Sequence, residues 1–322
     1  MTRRCLVVHP GALGDTLLSG PALVHLRSLG FRTTLAITSR LVPLFASSRL
    51  VDDACDLETL ALHRLFVEPI AADVLAPVEA FDAIASWLGA GDRAFRANLA
   101  RLGRPVVVAR AQPPPGTGCH VSRHLVETLA PLGPLPSVLP SARLHASEAA
   151  RASARSWLGD RGIRPGEAVV LQPGAGSASK VWPGFAALAR RIRDAGLPLV
   201  ALAGPADGPV VEALLDAGAL TEDRLVRDWP LVKIAGLLSL AGVMVGNDSG
   251  PTHLAAAVGC PTVAVFGPTD PLVWAPVGPR VRTPSGPAGE IPWPDVDRVE
   301  SDLLALLVGP HADAPPRPAG AR

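Results

Sequence analysis

The chain has 322 residues, a net charge of +1, 48% hydrophobic residues and 18% charged residues. This composition predicts a packed globular protein, and the near-neutral charge argues against a nucleic-acid-binding protein. The four cysteines, Cys5, Cys55, Cys119 and Cys260, lie far apart and lack the spacing of a metal site. They therefore predict reduced thiols and no bound metal.

Two features of the chain bear on where the protein works. The longest nearly apolar run, residues 231–246, is shorter than the roughly 20 residues that a membrane-spanning helix needs, and it contains Lys233. The N-terminal segment, residues 1–15, has only a short apolar stretch, which argues against a signal peptide. The sequence therefore predicts a soluble protein of the cytoplasm.

Short apolar runs alternate with longer amphipathic segments, which is the pattern of parallel sheets flanked by helices. In the first half the pattern predicts strands at 5–10, 33–38, 81–88 and 105–110 and helices at 21–29 and 119–133. A proline- and serine-rich stretch and a charged helix follow, at 134–145 and 146–162. The second half then predicts strands at 168–173, 197–204, 242–246 and 261–267 and helices at 185–196, 209–218, 231–241 and 251–258.

The element pattern predicts an α/β protein made of two doubly wound units, divided near residues 140–165. A proline-rich loop at 276–294 and a last helix at 296–309 follow the second unit. The remaining residues, 310–322, are rich in Pro, Ala and Gly and are predicted to form a disordered tail.

An unusual group of polar residues, NDSGPTH at 247–253, directly follows a predicted strand. It predicts a helix that begins near Gly250, with Asp248 or Ser249 as its N-cap. Free N–H groups and the positive end of the helix dipole converge at such a start, and a glycine lets a ligand approach the backbone. With His253 in the first turn, this junction favours a diphosphate site. A capping cluster with a structural histidine is the alternative.

The second unusual junction is LQPGAGSASKVWPGF, residues 171–185, where small residues such as Ser177 precede Lys180. Only two of the 30 basic residues of the chain are lysines. A Gly/Ser loop with one lysine resembles a phosphate-binding loop, although the P-loop pattern would need glycine at Ser179 and Ser or Thr at Val181. Because a compact ammonium suits a particular geometry, the lysine favours a phosphate site over a flexible surface loop.

The third junction, VVHPGALGDTLLSGPAL at 7–23, follows the first predicted strand. It places Gly11, Gly14 and Asp15 just before a predicted helix. The G-x-G-x-x-G pattern is missing, which disfavours NAD binding. From the residues alone, Asp15 is interpreted as a helix cap.

Together the three segments resemble glycosyltransferase family nine, the family of the ADP-heptose:lipopolysaccharide heptosyltransferases. The similarity is strongest over residues 226–278, which include a D-[ST]-G-x-x-H motif at 248–253. The segments PGAGSASKVWP (173–183) and GALGDTLLSGPALVHLR (11–27) match the other two family motifs. The combination of the three motifs, in this order, is what carries the resemblance.

The resemblance implies a GT-B fold, in which two Rossmann-like domains face each other across a cleft. The acceptor-binding domain would span 1–145 and the nucleotide-sugar-binding domain 146–309, with a final helix that is able to pack back on the first domain. The implied reaction is an inverting, metal-independent transfer of heptose from ADP-heptose to a glycan or glycolipid such as the lipopolysaccharide inner core. No resident cofactor is expected. The resemblance also implies a monomer, and it is compatible with a peripheral contact at the inner membrane.

The same resemblance implies roles for individual residues. Asp15 becomes the candidate general base, since an aspartate with a pKa near 4 is ionised at neutral pH. Lys180 would neutralise the departing diphosphate. The donor-binding candidates are Ser177, Lys180, Asp207, Trp229, Asp248, Ser249, Gly250, Thr252 and His253, and the candidates of the N-terminal loop are Gly11 and Gly14. A helix cap is the alternative for Asp207, and a core position is the alternative for Trp229.

Two other functions remain open from the sequence. The first is a nucleotide-sugar epimerase of the same fold, which would change the sugar of the donor without any acceptor. The second is a nucleotide-binding protein that lacks catalytic activity. No local pattern identifies the donor sugar or the acceptor pocket.

Overall fold

The computed structural model describes residues 2–71, 73–204, 207–216, 218–284, 286 and 293–308. The predicted tail, 310–322, and part of the predicted loop at 276–294 lie outside the described residues. Among the described residues, no helix combines the length and the apolar character that crossing a bilayer requires.

The first half of the chain forms a parallel sheet with helices on its faces. Its strands are β1 (Arg3–Val8), β2 (Phe31–Ile37), β3 (Asp53–Asp56), β4 (Ala83–Ser86) and β5 (Val106–Val108). Its helices are α1 (Leu13–Leu18), α2 (Gly20–Ser28), α3 (Val42–Ala46), α4 (Arg93–Ala100) and α5 (Val121–Glu127). The strand order is β3-β2-β1-β4-β5, so the order reverses between β1 and β4.

The second half repeats the arrangement. Its strands are β6 (Val169–Gln172), β7 (Leu199–Ala203), β8 (Leu225–Arg227), β9 (Val243–Asn247), β10 (Thr262–Val265) and β11 (Val281–Arg282). Its helices are α6 (Glu148–Gly159), α7 (Phe185–Asp194), α8 (Gly208–Asp216), α9 (Leu231–Leu238), α10 (Gly250–Ala257), α11 (Pro271–Trp274) and α12 (Val296–Val308). The strand order, β11-β10-β9-β6-β7-β8, is that of a dinucleotide-binding Rossmann sheet, with its reversal between β6 and β9.

The predicted α/β fold with two doubly wound units is confirmed. The inner strands were predictable because both of their faces are covered: all residues of β6, β7, β9 and β10 are buried, which requires continuous apolar runs. Strand β3 was not predicted, because its sequence DACD is only partly buried at the sheet edge. Helix α4 was not predicted either, although Asp92 caps it by accepting a hydrogen bond from the N–H of Phe95 at 2.7 Å.

The prediction that Gly14 belongs to a loop is wrong. Helix α1 starts at Leu13, before the predicted helix, and Gly14 and Asp15 lie in its first turn. The physical reason is a local cap: the Asp15 carboxylate accepts a hydrogen bond from the N–H of Ala12 at 3.1 Å. Gly11 remains in the preceding loop.

The two domains contact each other through α1 and α10. A side chain at Gly14 would lie 3.1 Å from the ring of His253, and one at Gly250 would lie 3.1 Å from Leu13. Both glycines therefore serve a close approach of two helices from opposite domains. The chain crosses between the domains near Leu144, whose N–H donates to the carbonyl of Ala257 at 2.9 Å. The domain boundary at residue 145 stays a prediction.

The last helix, α12, packs on the second sheet. Its Val299, Leu303 and Leu306 are buried in one cluster with residues of β9 and β10, such as Val243 and Val263. The option that this helix packs back on the first domain is therefore wrong for the described part of the chain. The reason is that the apolar face of α12 packs against the sheet of the second domain.

Candidate functional site

A cavity of about 1030 Å³ lies between the carboxyl ends of the two sheets. Parallel α/β sheets bind ligands at this edge, where the strand order reverses. The first domain contributes residues of α1, including Asp15, and the second contributes the loops that follow β6 and β9. The residues from the three unusual junctions of the sequence thus line one cavity.

Asp248 is the centre of the polar group at this cavity. One carboxylate oxygen accepts a hydrogen bond from Lys180 Nζ at 2.8 Å and another from Thr269 Oγ1 at 2.8 Å. The other oxygen lies 3.4 Å from His253 Nε2. Burial raises the pKa of Asp248, but the hydrogen bonds from His253, Lys180 and Thr269 outweigh it and bring that pKa down to about 2. Asp248 is therefore ionised at neutral pH and holds Lys180 in position.

The backbone around Lys180 is held by Asn247, which was not among the site residues predicted from the sequence. The side-chain oxygen of Asn247 accepts the N–H of Trp182 at 2.9 Å, and its amide donates to the carbonyls of Pro173 and Gly174 at 2.9 and 3.0 Å. Asn247 is fully buried. It joins the end of β9 to the loop after β6, and its only sequence signal was its position at the end of an apolar strand.

Asn247→Ala is expected to lower the free energy of unfolding by about 3 kcal/mol, because it leaves three buried backbone groups without partners. It should also weaken ADP binding, since the Lys180 loop loses its anchor. The matched control is Asn98→Ala, a buried asparagine of the first domain that donates to the carbonyls of Leu65 and Val67. Urea denaturation and ADP titration of both variants check this. Equal loss of stability with equal ADP affinity in the two variants contradicts the anchoring role.

The start of helix α10 differs in detail from the prediction. Ser249 is the N-cap, but its side chain makes no cap hydrogen bond, and its hydroxyl lies 3.2 Å from Thr252 Oγ1. Ser249 and Gly250 line the cavity. Thr252 is fully buried, does not line the cavity and donates to the carbonyl of Asn247 at 2.7 Å. The hydroxyl of Thr252 is therefore engaged by the strand end, and a donor contact by Thr252 stays a prediction.

His253 lines the cavity but is only 4% exposed. Its Nε2 faces Asp248, and its Nδ1 is buried without a hydrogen-bond partner among the described residues. The helix start, the histidine and Lys180 together offer N–H groups and positive charge to an anion. Ser177, exposed and 2.8 Å from Ser179 Oγ, lies at the rim of the same cavity.

The other end of the cavity is more apolar. Trp229 lines it and packs edge-on against Trp157, with ring centroids 5.4 Å apart, so it is both a wall and a part of the domain core. Asp207 is 7% exposed, and its Oδ2 accepts from Gln172 Nε2 at 3.0 Å and from the N–H of Gly204 at 2.8 Å. Trp229 can stack on a flat ring, whereas one Asp207 oxygen is already used within the domain.

Asp15 faces these groups from the first domain and is partly exposed to the cavity. The loop before it is tight: a side chain at Gly11 would meet the His9 ring at 2.6 Å and the Asp15 Cβ at 2.7 Å. Gly11 therefore allows His9 and Asp15 to lie side by side. Its N–H donates to His9 Nδ1 at 3.1 Å.

The sequence of this two-domain protein matches a known family. The family profile described as glycosyltransferase family 9 (heptosyltransferase) matches residues 99–298, more than half of the chain. The chain belongs to glycosyltransferase family 9. The resemblance drawn from the three motifs is confirmed.

Comparisons with single proteins agree with the family. Over 162 residues the chain is 28% identical to lipopolysaccharide heptosyltransferase 3 of Escherichia coli K12. This alignment covers 49% of this chain and 46% of that protein. The segments aligned with the curated relatives span less than half of their length, 33% in one case and 46% in the other.

Solved structures of the family share the fold. The family 9 glycosyltransferase of Veillonella parvula DSM 2008 superposes with a TM-score of 0.76 at 18% identity, covering 95% of this chain and 98% of that one. The heptosyltransferase WaaC of Escherichia coli, solved with ADP, superposes with a TM-score of 0.67 at 19% identity, covering 94% and 99%. At such identities the likeness concerns the fold, and it confirms the predicted GT-B architecture.

Proposed function

We propose that this family 9 protein is an inverting, metal-independent glycosyltransferase that moves heptose from ADP-heptose to a glycan acceptor. The observation that carries the proposal is the single cavity that Asp15, from one domain, shares with Lys180 and the start of α10, from the other. Such a cavity suits a reaction in which one domain supplies a base and the other holds a leaving group. The glycolipid inner core of lipopolysaccharide is the acceptor that the family implies.

In this proposal the donor binds in the second domain with its diphosphate at the Lys180 end of the cavity. The diphosphate lies between Lys180 and the N–H groups at the start of α10, where positive charge is available. The adenine ring then lies towards Trp229, in the more apolar end of the cavity formed with Leu202, Val226 and Ile234. An ADP-linked donor is supported by the family 9 relative that was solved with ADP.

The chemistry is a single displacement. The Asp15 carboxylate takes the proton of an acceptor hydroxyl, and the oxygen forms a bond to the anomeric carbon on the face opposite the diphosphate. The bond from that carbon to the diphosphate oxygen breaks, and the electron pair stays on the diphosphate. Lys180 and the helix start stabilise the charge that develops there, which is the task that a metal performs in other transferases.

The test is a mass-spectrometric assay of a panel of nucleotide-sugars with candidate glycan acceptors. We expect release of ADP and a gain of one sugar on the acceptor only when donor and acceptor are both present. The donor incubated alone is the control. An isomerised donor sugar in that control would indicate an epimerase, and ADP binding without any turnover on the panel would indicate a binding protein. The monomeric state, the cytoplasmic location and the peripheral membrane contact stay predictions.

A further inference from the structure

A second, smaller cavity of about 200 Å³ lies beside Asp15. Three residues line both this cavity and the large one: Asp15, Gln112 and Trp274. They therefore mark the passage between the two spaces. The small cavity suits a single ring, whereas the large one, about 1030 Å³, suits a nucleotide-sugar.

Trp274 belongs to the second domain but reaches a cavity formed mainly by the first. Helix α11 carries it and is capped by Asp270, whose side chain accepts from the N–H of Leu272 at 2.9 Å. The next residue, Ala275, is tied to the first domain, since its carbonyl lies 2.9 Å from His120 Nε2. Because His120 Nδ1 accepts the N–H of Ser122 at 3.2 Å, the proton is on Nε2 and the bond to Ala275 is a donated one.

The segment that holds Trp274 also begins at the diphosphate site. Thr269 donates to Asp248 at 2.8 Å, five residues before Trp274. Trp274 is therefore fixed at one end by the anion site and at the other by the first domain. Trp274 is only half-buried, and its indole ring is accessible to a ligand from the small cavity.

The charges in the small cavity restrict what it can bind. His9 is 1% exposed, and burial lowers its pKa to about 4, so it is neutral at neutral pH. No lysine or arginine is among the described residues that line this cavity, and Asp15 is the acidic residue among them. A carboxylate or phosphate placed here would meet repulsion without a compensating cation.

The polar groups that remain suit hydroxyl groups. Gln112 is exposed and its side-chain amide has no hydrogen-bond partner among the described residues, so it can both donate and accept. Trp274 offers an apolar face, on which the C–H face of a sugar ring can pack. Neither residue carries charge.

We propose that the small cavity binds the attacking sugar ring of the acceptor, that this ring is uncharged, and that Trp274 and Gln112 position it so that one hydroxyl meets Asp15. The inference rests on the proposed transferase function. It adds the chemical class of the acceptor ring and a specificity-determining residue that comes from the donor domain. An acceptor with acidic groups elsewhere would have to keep them outside this cavity.

The test uses saturation-transfer-difference NMR on the 322-residue chain loaded with ADP. The two probes are methyl α-D-glucopyranoside and methyl α-D-glucopyranosiduronate, which differ only in a carboxylate. We expect the neutral glycoside to bind and the uronate to give no signal. Trp274→Ala should weaken the neutral glycoside about tenfold or more, whereas Trp274→Phe, which keeps an aromatic face, should restore most of the binding.

The control variant is Leu272→Ala, on the same helix but 71% exposed and outside both cavities. It should bind both ADP and the glycoside as the wild type does. ADP titration of every protein separates the two claims: failure of the wild type to bind ADP overturns the proposed donor site. ADP binding with no preference for the neutral glycoside, or with equal glycoside affinity in Trp274→Ala, overturns only the acceptor inference.

Discussion

Asp15→Asn is expected to bind ADP as tightly as the wild type and to transfer sugar about 10²–10⁴ times more slowly, the usual contribution of a general base. The structural role of the residue survives the change. Asparagine keeps a side-chain oxygen that can accept the N–H of Ala12, as Asp15 does at 3.1 Å, so α1 stays capped. The variant thus removes the proton acceptor while it preserves the helix start.

A matched control for this variant is Asp92→Asn. Asp92 also caps a helix of the first domain, accepting the N–H of Phe95 at 2.7 Å, but it lines neither cavity. We expect full activity from Asp92→Asn and unchanged thermal midpoints for both variants. Single-turnover rates, ADP titration and thermal unfolding measure the three quantities. A stable Asp15→Asn protein that transfers sugar at nearly the wild-type rate would show that Asp15 is only a cap.

Lys180→Ala is expected to weaken ADP binding by about 10- to 150-fold, which corresponds to the roughly 1.5–3 kcal/mol of a charge-assisted hydrogen bond. Two physical effects act in the same direction. The diphosphate loses its ammonium partner, and Asp248, which is 2.8 Å from Lys180 Nζ and ionised, is left facing the diphosphate with less compensation.

The loss in Lys180→Ala should depend on the phosphates of the ligand. Calorimetric titration with ADP, AMP and adenosine measures this: we expect the largest loss for ADP and none for adenosine. Lys180→Arg is the matched control, since it keeps the charge but not the compact ammonium, and it should bind ADP with intermediate affinity. Equal losses for ADP and adenosine would mean that Lys180 acts on the fold of the loop and not on the diphosphate.

The sequence by itself determined the architecture and most of the candidate site. A strand that is covered by helices on both faces consists of a nearly continuous run of apolar residues, so β6 and β9 could be recognised from the sequence. The residues that follow such strands lie at the ligand-binding edge of a parallel sheet, which is why Lys180 and the Asp248–His253 segment could be selected locally. The family motifs then linked them to Asp15.

Only the tertiary structure decided how these residues are paired and which way they point. Lys180 and Asp248 are 68 residues apart, and they meet because β6 and β9 are neighbours in the second sheet. Thr252 turns inward because the carbonyl at the end of β9 takes its hydroxyl, and no local pattern shows this. Gln112 and Trp274 were not selected from the sequence, although Trp274 lies within the region of strongest family similarity, 226–278. Their proximity to Asp15 follows from the docking of two domains, a long-range property that the local spacing of residues does not encode.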